Sequence, residues 1–288
     1  MTDDPRVESI PIPGGRIERL RIAGGPGVPL VVVGGVETGL RRLAGTETLL
    51  QRRWAGRSAA REVIVVGRPI PDDPADALAL LHPRAAAVAV ATALDGPRPG
   101  IGPFAFEAES GGGRISMWVA VDRPDLVARL VLAASAAETA VDSQMAVRLG
   151  AWVALGERGG WGELFALQAA QLKPGGLESN APPPTAFAAA ASLHPVPSTP
   201  ERFLAELRTT VDPTSFVTDR LGEIRAPTLV LAGAQDQVVP IASSRLVAER
   251  IPGARLVVDP DCGHTVRTSF RGYDDLVEAF LAEGDRPR

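Results

Sequence analysis

Short apolar runs rich in β-branched residues alternate along the chain with longer runs rich in alanine and leucine. The short runs are apolar at consecutive positions, which is typical of strands in a parallel sheet covered by helices on both faces. The pattern predicts strands at Arg16–Ile22, Pro29–Gly34, Glu62–Gly67, Phe104–Glu109, Leu126–Ala134, Thr228–Gly233 and Arg255–Asp259. It predicts helices at Thr46–Arg53, Arg84–Leu94, Gly112–Val121, Ile241–Ile251 and Tyr273–Glu283. We therefore predict an α/β fold with a mostly parallel central sheet.

The alternation of strands and helices breaks off between residues 136 and 212. This segment has several helix-like pieces and no clear strand, and its most distinctive residues are Trp152, Trp161, Phe165 and the run Pro182-Pro183-Pro184. An insertion at this point would lie above the edge of the sheet, where it would shape a substrate pocket. We therefore predict a core of residues 1–135 and 213–288 with a helical cap, or lid, of residues 136–212. The simpler alternative is that these aromatic residues only pack the segment against the core.

Length, charge and cysteine content limit the size of the fold and the kinds of molecule that the protein can bind. A chain of 288 residues, 45% of them hydrophobic, is long enough for one large α/β domain or for one domain that carries an inserted subdomain. The formal net charge is −4 and Lys and Arg form no dense run, so we expect no nucleic-acid partner. No segment has the apolar length of a signal peptide or a membrane span, which favours a soluble cytoplasmic protein without a membrane partner. Cys262 is the single cysteine, so no intramolecular disulfide is possible. The oligomeric state is not indicated.

One serine stands at a turn between a predicted strand and a predicted helix. Ser110 follows the strand Phe104–Glu109 and precedes three glycines and a helix-compatible segment. This is the layout of a nucleophile elbow, a turn so tight that the residues two before and two after the serine must be small. Ala108 and Gly112 meet that requirement.

An acid and a histidine follow later strands. Asp236 lies in the loop after Thr228–Gly233, and His264 lies in the loop after Arg255–Asp259. A serine hydroxyl needs a base and a carboxylate that orients the base, and the chain order Ser, Asp, His is the one used by α/β-hydrolases. The sequence thus predicts Ser110, Asp236 and His264 as catalytic residues.

Alternatives exist for two of these three residues. His82 and His194 both precede proline and lack a strand end beside them, so His264 is the better base. Asp236 could instead serve as a turn or capping residue, although it lies several residues before the helix that follows. Glu138 is the alternative acid and ranks below Asp236.

Two backbone N–H groups are candidates for stabilising an oxyanion. Gly111 follows the serine at the start of a helix, where its N–H points toward developing negative charge. Val36 lies in the glycine-containing loop Gly34–Gly39, which allows close approach of the backbone. On its own this loop is also compatible with an ordinary turn between a strand and a helix.

The glycine clusters do not fit a phosphate-binding motif. Neither Gly34–Gly39 nor Ser110–Gly113 has the Gly-Lys-Ser/Thr ending of a P-loop or the Gly-x-Gly-x-x-Gly spacing of a dinucleotide site. The scattered histidines and the single cysteine give no metal-ligand spacing. We therefore expect no cofactor and no metal.

Taken together, these segments resemble the α/β-hydrolase superfamily from about Arg16 to Glu283, especially its esterase, lipase and epoxide-hydrolase-like members. The resemblance implies that Ser110, Asp236 and His264 form the triad, with Val36 and Gly111 as oxyanion donors. Two departures are Gly34-Gly35, where many relatives have His-Gly, and Ala108, where most have Gly.

Two functions are compatible with this sequence. The first is a serine hydrolase that cleaves an ester, thioester, lactone or amide of a small apolar molecule through an acyl-enzyme on Ser110. Epoxide hydrolases and dehalogenases normally have aspartate at the nucleophile position, so a serine argues for acyl chemistry. The alternative is a non-hydrolytic isomerase or epimerase acting on a peptide or metabolite, as in natural-product pathways of the bottromycin type.

Overall fold

The computed structural model describes residues 7–36, 43–95, 102–139, 143–172, 174 and 200–283. Within them the strands are β1 (Val7–Ile12), β2 (Gly15–Val33), β3 (Arg61–Val66), β4 (Ile70–Pro71), β5 (Phe104–Glu109), β6 (Val127–Ala133), β7 (Thr228–Gly233) and β8 (Arg255–Asp259). They form one sheet in which β2, β5, β6, β7 and β8 are successive parallel neighbours. The predicted α/β fold with a mostly parallel sheet is confirmed.

The helices are α1 (Glu47–Arg53), α2 (Ala55–Ala60), α3 (Ala77–Leu81), α4 (Pro83–Leu94), α5 (Gly111–Asp122), α6 (Ser143–Glu157), α7 (Trp161–Gln171), α8 (Pro200–Val211), α9 (Ile241–Arg250), α10 (Val266–Ser269) and α11 (Tyr273–Ala282). Helices α6 to α8 occupy the described part of the segment predicted as a cap. The run Pro182-Pro183-Pro184 and His194 lie outside the described residues.

The long strand β2 differs from the prediction of two separate strands at Arg16–Ile22 and Pro29–Gly34. Its first half pairs Arg19 with Val66 and Ile22 with Val63, whereas its second half pairs Leu30 with Val63 and Val33 with Val66. The two halves therefore run in opposite directions along the two edges of β3. The pairing of β2 with β3 is irregular between Ile22 and Leu30, and the direction of the chain relative to β3 changes there.

Glycines permit that reversal. A Cβ on Gly24 would overlap with the carbonyl oxygen of Arg61, and one on Gly25 would approach the carbonyl oxygen of Ala60 at 2.5 Å. The sequence pattern shows these glycines as a break between strands because it does not reveal how closely the backbone packs there. Strand β1, which pairs antiparallel with β2, was also not predicted, because half-exposed edge residues interrupt its apolar pattern.

Consecutive residues of the central strands are buried in opposite layers. Val31 and Val33 contact one apolar cluster, which includes helices α4 and α5, whereas Leu30 and Val32 contact a second cluster, which includes α11. Because side chains alternate between the faces of a strand, both faces of the sheet are covered. A third apolar cluster lies among α6, α7 and α8, at the carboxyl edge of the sheet.

We predict opposite effects for two glycine-to-alanine substitutions. A Cβ at Gly112 would overlap with the carbonyl oxygens of Val33 and Gly34, so Gly112→Ala should lower the free energy of unfolding by about 3 kcal/mol. At Gly150 in α6, an added Cβ would meet no described atom within 4 Å apart from the adjoining helix backbone, so Gly150→Ala should raise the free energy of unfolding by about 0.5–1 kcal/mol. Chemical denaturation of both variants tests the prediction, and equal effects would contradict it.

Candidate active site

Ser110 lies in a strained turn between β5 and α5. Its backbone has φ 51° and ψ −124°, a conformation that few residues other than glycine adopt. The Ser110 N–H donates to the carbonyl oxygen of Ala133 at 2.9 Å, which ties the turn to β6. The Ser110 side chain does not cap α5, so its hydroxyl is available for other partners.

The three residues predicted as a triad form one hydrogen-bonded chain. His264 Nε2 lies 3.0 Å from Ser110 Oγ, and His264 Nδ1 lies 2.8 Å from Asp236 Oδ2. Because the carboxylate can only accept when ionised, Nδ1 donates to Asp236, which leaves Nε2 of the neutral ring as acceptor for the Ser110 hydroxyl. His264 is 6% exposed and Asp236 is 7% exposed, so bulk water has little access to either group.

Hydrogen bonds from its own loop hold the carboxylate of Asp236 in place. Asp236 Oδ1 accepts hydrogen bonds from the N–H groups of Val238 and Val239, both at 2.8 Å, while Oδ2 accepts from the histidine. The turn role considered for Asp236 and the contact with His264 therefore coexist on one carboxylate. At the end of β7, a Cβ on Gly233 would overlap with the carbonyl oxygen of Cys262, so the absence of a side chain lets the histidine loop approach.

The two predicted oxyanion donors lie next to each other beside the serine. The amide nitrogen of Val36 is 3.7 Å from the point where a Cβ on Gly111 would stand, and the corresponding point on Gly35 is 3.8 Å from Ser110 Oγ. The loop after β2 and the N-terminus of α5 thus lie against each other beside the serine. Backbone N–H groups so placed can stabilise developing negative charge on a carbonyl oxygen if both point toward it.

The remaining candidates lie elsewhere. His82 precedes α4, where its Nδ1 accepts from the N–H of Arg84 and its Nε2 contacts Thr214 Oγ1 at 3.3 Å. Asp236, and not the alternative acid Glu138, contacts the His264 ring.

The serine and histidine open into a cavity of about 190 Å³. Most of its walls are apolar: α6 contributes Met145, Leu149 and Trp152, and Leu172 follows directly after α7. The polar side chains in its walls, besides the serine and histidine, are Glu109, Arg114, Gln168, Glu206, Thr209, Thr210 and Thr265. A cavity of this composition suits a mainly apolar molecule with a few polar groups.

Comparison with known proteins identifies the family of this chain. A family model described as alpha/beta hydrolase fold matches residues 99–266, which is more than half of the chain. The chain belongs to the α/β-hydrolase fold family. The resemblance noted in the sequence is therefore confirmed at the level of the family.

Curated relatives match over a short stretch. A 2-hydroxymuconate semialdehyde hydrolase of Pseudomonas putida is 41% identical over 59 residues, which is 20% of this chain and 21% of that protein. A 2-hydroxy-6-oxo-6-phenylhexa-2,4-dienoate hydrolase of Burkholderia cepacia is 39% identical over 69 residues, or 24% of each chain. The matched stretch thus spans less than a quarter of the length of these two relatives.

Solved structures of the family match over nearly the whole chain. An α/β hydrolase from a deep-sea metagenome library has a TM-score of 0.73 with 14% identity, and the match covers 98% of both chains. Est816, an N-acyl homoserine lactone degrading enzyme, has a TM-score of 0.64 with 25% identity, covering 95% of this chain and 100% of its own. At 14% identity, the similarity to the metagenomic hydrolase shows only that the two proteins share a fold.

Charge around the imidazole sets the pKa of His264. Burial by itself lowers this pKa, but the negative charge and hydrogen bond of Asp236, together with the charge of Glu109, outweigh burial and raise the pKa above its usual value. Glu109 is itself affected, because burial raises its pKa despite the opposing charges of His264 and Arg267. The site thus favours the protonated imidazole once the ring has accepted a proton.

Two arginines near the site that pair with buried carboxylates, Arg68 and Arg267, were not predicted from the sequence. Arg68 donates from Nε to Glu206 of α8 at 2.9 Å and from Nη2 to the carbonyl oxygen of Gly34 at 2.8 Å, so it links α8 to the loop after β2. On the other side, Glu107 of β5 accepts from Arg267 at 3.1 Å, which ties the strand before Ser110 to α10. Arg68 and Glu206 are 138 residues apart and Glu107 and Arg267 are 160 residues apart, and local sequence patterns do not reveal such pairing.

Two further observations concern other functions. Among the described residues, no group of three or more His, Cys, Asp or Glu side chains is arranged to hold a metal ion. In the same part of the chain no single helix is long and apolar enough to cross a membrane, although the bent pair Pro74–Leu81 and Pro83–Leu94 reaches that length and composition when the two are taken together.

We predict a pH dependence set by the groups around His264. If the neutral imidazole is the base, activity falls as the ring becomes protonated, and the raised pKa of His264 places this fall at a higher pH than for an ordinary histidine. Asp236→Asn should lower kcat by roughly four orders of magnitude. Glu109→Gln should move the acidic limb of the kcat/KM profile to lower pH, because it removes a negative charge near the ring.

Glu138→Gln is the matched control, because it also removes one carboxylate and Glu138 does not contact His264. This variant should leave the acidic limb where it is. An acidic limb that moves equally in Glu109→Gln and Glu138→Gln would contradict the assignment, as would a loss of activity in Glu138→Gln as large as that in Asp236→Asn.

Proposed function

We propose that the protein is a serine hydrolase that cleaves an ester, thioester, lactone or amide of a small, mainly apolar molecule. The observation that carries the proposal is the continuous hydrogen-bonded chain from the Ser110 hydroxyl through His264 to Asp236, beside two backbone N–H groups. The membership of the family and the hydrolase names of the relatives support it.

In the proposed reaction, His264 Nε2 accepts the Ser110 proton while Oγ attacks the substrate carbonyl carbon. The negative charge that develops on the carbonyl oxygen is stabilised by the N–H groups of Val36 and Gly111. The imidazolium then gives its proton to the leaving group as the bond between carbonyl carbon and leaving group breaks, which leaves an acyl group on Ser110. A water molecule, deprotonated by the same ring, releases the acid and restores the serine.

The carboxylate of Asp236 has a positional and an electrostatic role in this scheme. It holds the tautomer in which Nε2 is the acceptor, and it stabilises the positive charge on the ring after proton transfer. Helices α6 to α8 form a cap that determines which molecules reach Ser110. The name of Est816, which degrades N-acyl homoserine lactones, supports including lactones among the substrates to be assayed.

We predict a burst of p-nitrophenol when the protein is mixed with a p-nitrophenyl ester, because acylation releases the phenol before the acyl-enzyme is hydrolysed. Ser110→Ala should abolish the burst and lower kcat by roughly six orders of magnitude. Stopped-flow absorbance measures both quantities.

Ser116→Ala is the matched control. Ser116 is a buried serine of α5 whose hydroxyl has no hydrogen-bond partner in the described part of the chain, so its removal should change neither the burst nor kcat. Turnover that survives in Ser110→Ala would disprove the acyl-enzyme. Uptake of deuterium from heavy water into an uncleaved peptide or metabolite would instead support the isomerase or epimerase.

A further inference from the structure

Arg114 is a buried arginine one helical turn after Ser110. It lies in the first part of α5, is 6% exposed and contributes to the wall of the cavity that contains Ser110 and His264. Within the described residues it has no ion pair, although Glu138 is near enough to act on its charge. Burial lowers the pKa of Arg114 to about 10, so the guanidinium remains positively charged at neutral pH.

The hydrogen bonds of Arg114 reach the two segments that connect α6–α8 to the rest of the fold. We call residues 136–139 the entry segment and residues 210–215 the exit segment. In the entry segment, Nε donates to the carbonyl oxygen of Ala136 at 3.3 Å and Nη2 donates to Thr139 Oγ1 at 3.1 Å. In the exit segment, Nη1 donates to the carbonyl oxygen of Thr210 at 3.2 Å and to Ser215 Oγ at 2.9 Å.

Other contacts support the same junction. Thr139 Oγ1 also donates to the carbonyl oxygen of Thr210, which joins the entry and exit segments directly. Trp118, one turn further along α5, donates from Nε1 to the carbonyl oxygen of Ser215 at 3.1 Å. The guanidinium carbon of Arg114 lies 5.2 Å from the centre of the Phe216 ring. Both ends of the helical segment are therefore attached to the helix that begins at Ser110.

We propose that Arg114 is a positioning residue that fixes the placement of α6–α8 over Ser110 and so determines how larger substrates bind. This inference rests on the proposed function, because it assigns to α6–α8 the binding of the substrate. Arginine suits the task because its planar group carries five N–H donors in fixed directions, whereas lysine offers three donors on one flexible atom.

The alternative role for a buried cation in this cavity is to bind an anionic group of the substrate. The hydrogen bonds favour positioning, because four of the five N–H groups already donate to neutral oxygens of the protein. The two roles predict different responses to the length and the charge of the substrate, so esters of matched chemistry separate them.

The test compares Arg114→Met and Arg114→Lys with the unmodified protein on three esters: p-nitrophenyl acetate, p-nitrophenyl octanoate and the p-nitrophenyl half-ester of suberic acid. We expect both variants to raise KM for the octanoate roughly tenfold, or about 1.4 kcal/mol. For the acetate, whose acyl group is much shorter and fills less of the cavity, kcat should change less than about twofold. KM for the half-ester should rise as much as KM for the octanoate, because the proposal makes binding depend on the length of the acyl group and not on its charge.

Arg123→Met is the matched control. Arg123 follows the other end of α5 and donates to Asp95 and Asp125 on the surface, so this variant loses as many guanidinium hydrogen bonds without touching either segment. It should leave KM for all three esters unchanged.

A second measurement does not depend on catalysis. In hydrogen–deuterium exchange, Arg114→Met should speed amide exchange in the entry and exit segments while β5 and β7 stay protected. If Arg114→Met fails to fold, the variants Thr139→Val and Ser215→Ala keep the arginine and remove one acceptor in each segment, and combined they should give the same shift in KM and in exchange.

Three results would overturn the proposal. Equal losses of activity on the acetate and the octanoate would show a general effect on the site. A loss of activity in Arg114→Met that is confined to the half-ester, and is absent in Arg114→Lys, would show a subsite for an anionic group. Unchanged exchange in both segments would show that Arg114 does not hold them. If the unmodified protein hydrolyses none of the esters, the proposed function fails, and the exchange measurement still decides the role of Arg114.

Discussion

The site depends on one ring that bridges loops from separate strands. His264 follows β8, which lies three strands away from β5 in the sheet, so at ordinary spacing the two strands are about 14 Å apart. The histidine loop must therefore extend back along the carboxyl edge until the ring reaches both Asp236 and Ser110. The strained backbone of Ser110 raises its hydroxyl to meet the ring, and Gly233 leaves room for the loop to pass.

The features that the sequence predicts well are those encoded by neighbouring residues. Consecutive apolar residues predict the central strands because both faces of the sheet are covered. Small residues on both sides of Ser110 predict the tight turn, and the structure shows that a side chain at Gly112 would collide with the end of β2. The positions of Asp236 and His264 follow from the strands before them, since parallel strands end at one edge of the sheet.

The features that the sequence does not predict depend on residues far apart in the chain. Glu107 lies within an apolar strand, and only the structure shows that Arg57, Arg267 and Tyr273 satisfy its carboxylate. The sequence does not predict that the two halves of β2 both pair with β3. Its glycines indicate a break between strands, but they do not show that the backbone stays hydrogen-bonded to β3 as it reverses direction.

Buried arginines form hydrogen bonds between segments that are far apart in the chain and that belong to different helices, strands and loops. A guanidinium group can donate to several backbone carbonyls at once, so it can hold a junction of segments that apolar contacts alone would not fix in orientation. Arg68 and Arg114 each join α8 or the segment after it to a loop or helix beside Ser110. Apolar residues supply most of the wall of the cavity. Our proposal adds that buried arginine fixes the position of the helices that form this wall.

Reaction with a fluorophosphonate, followed by intact-mass and peptide mass spectrometry, tests most directly whether His264 activates the Ser110 hydroxyl. The account predicts a single phosphonyl adduct on the peptide that contains Ser110, absent in Ser110→Ala and formed far more slowly in His264→Ala. A folded protein that forms no adduct, or an adduct that persists in Ser110→Ala, would contradict it.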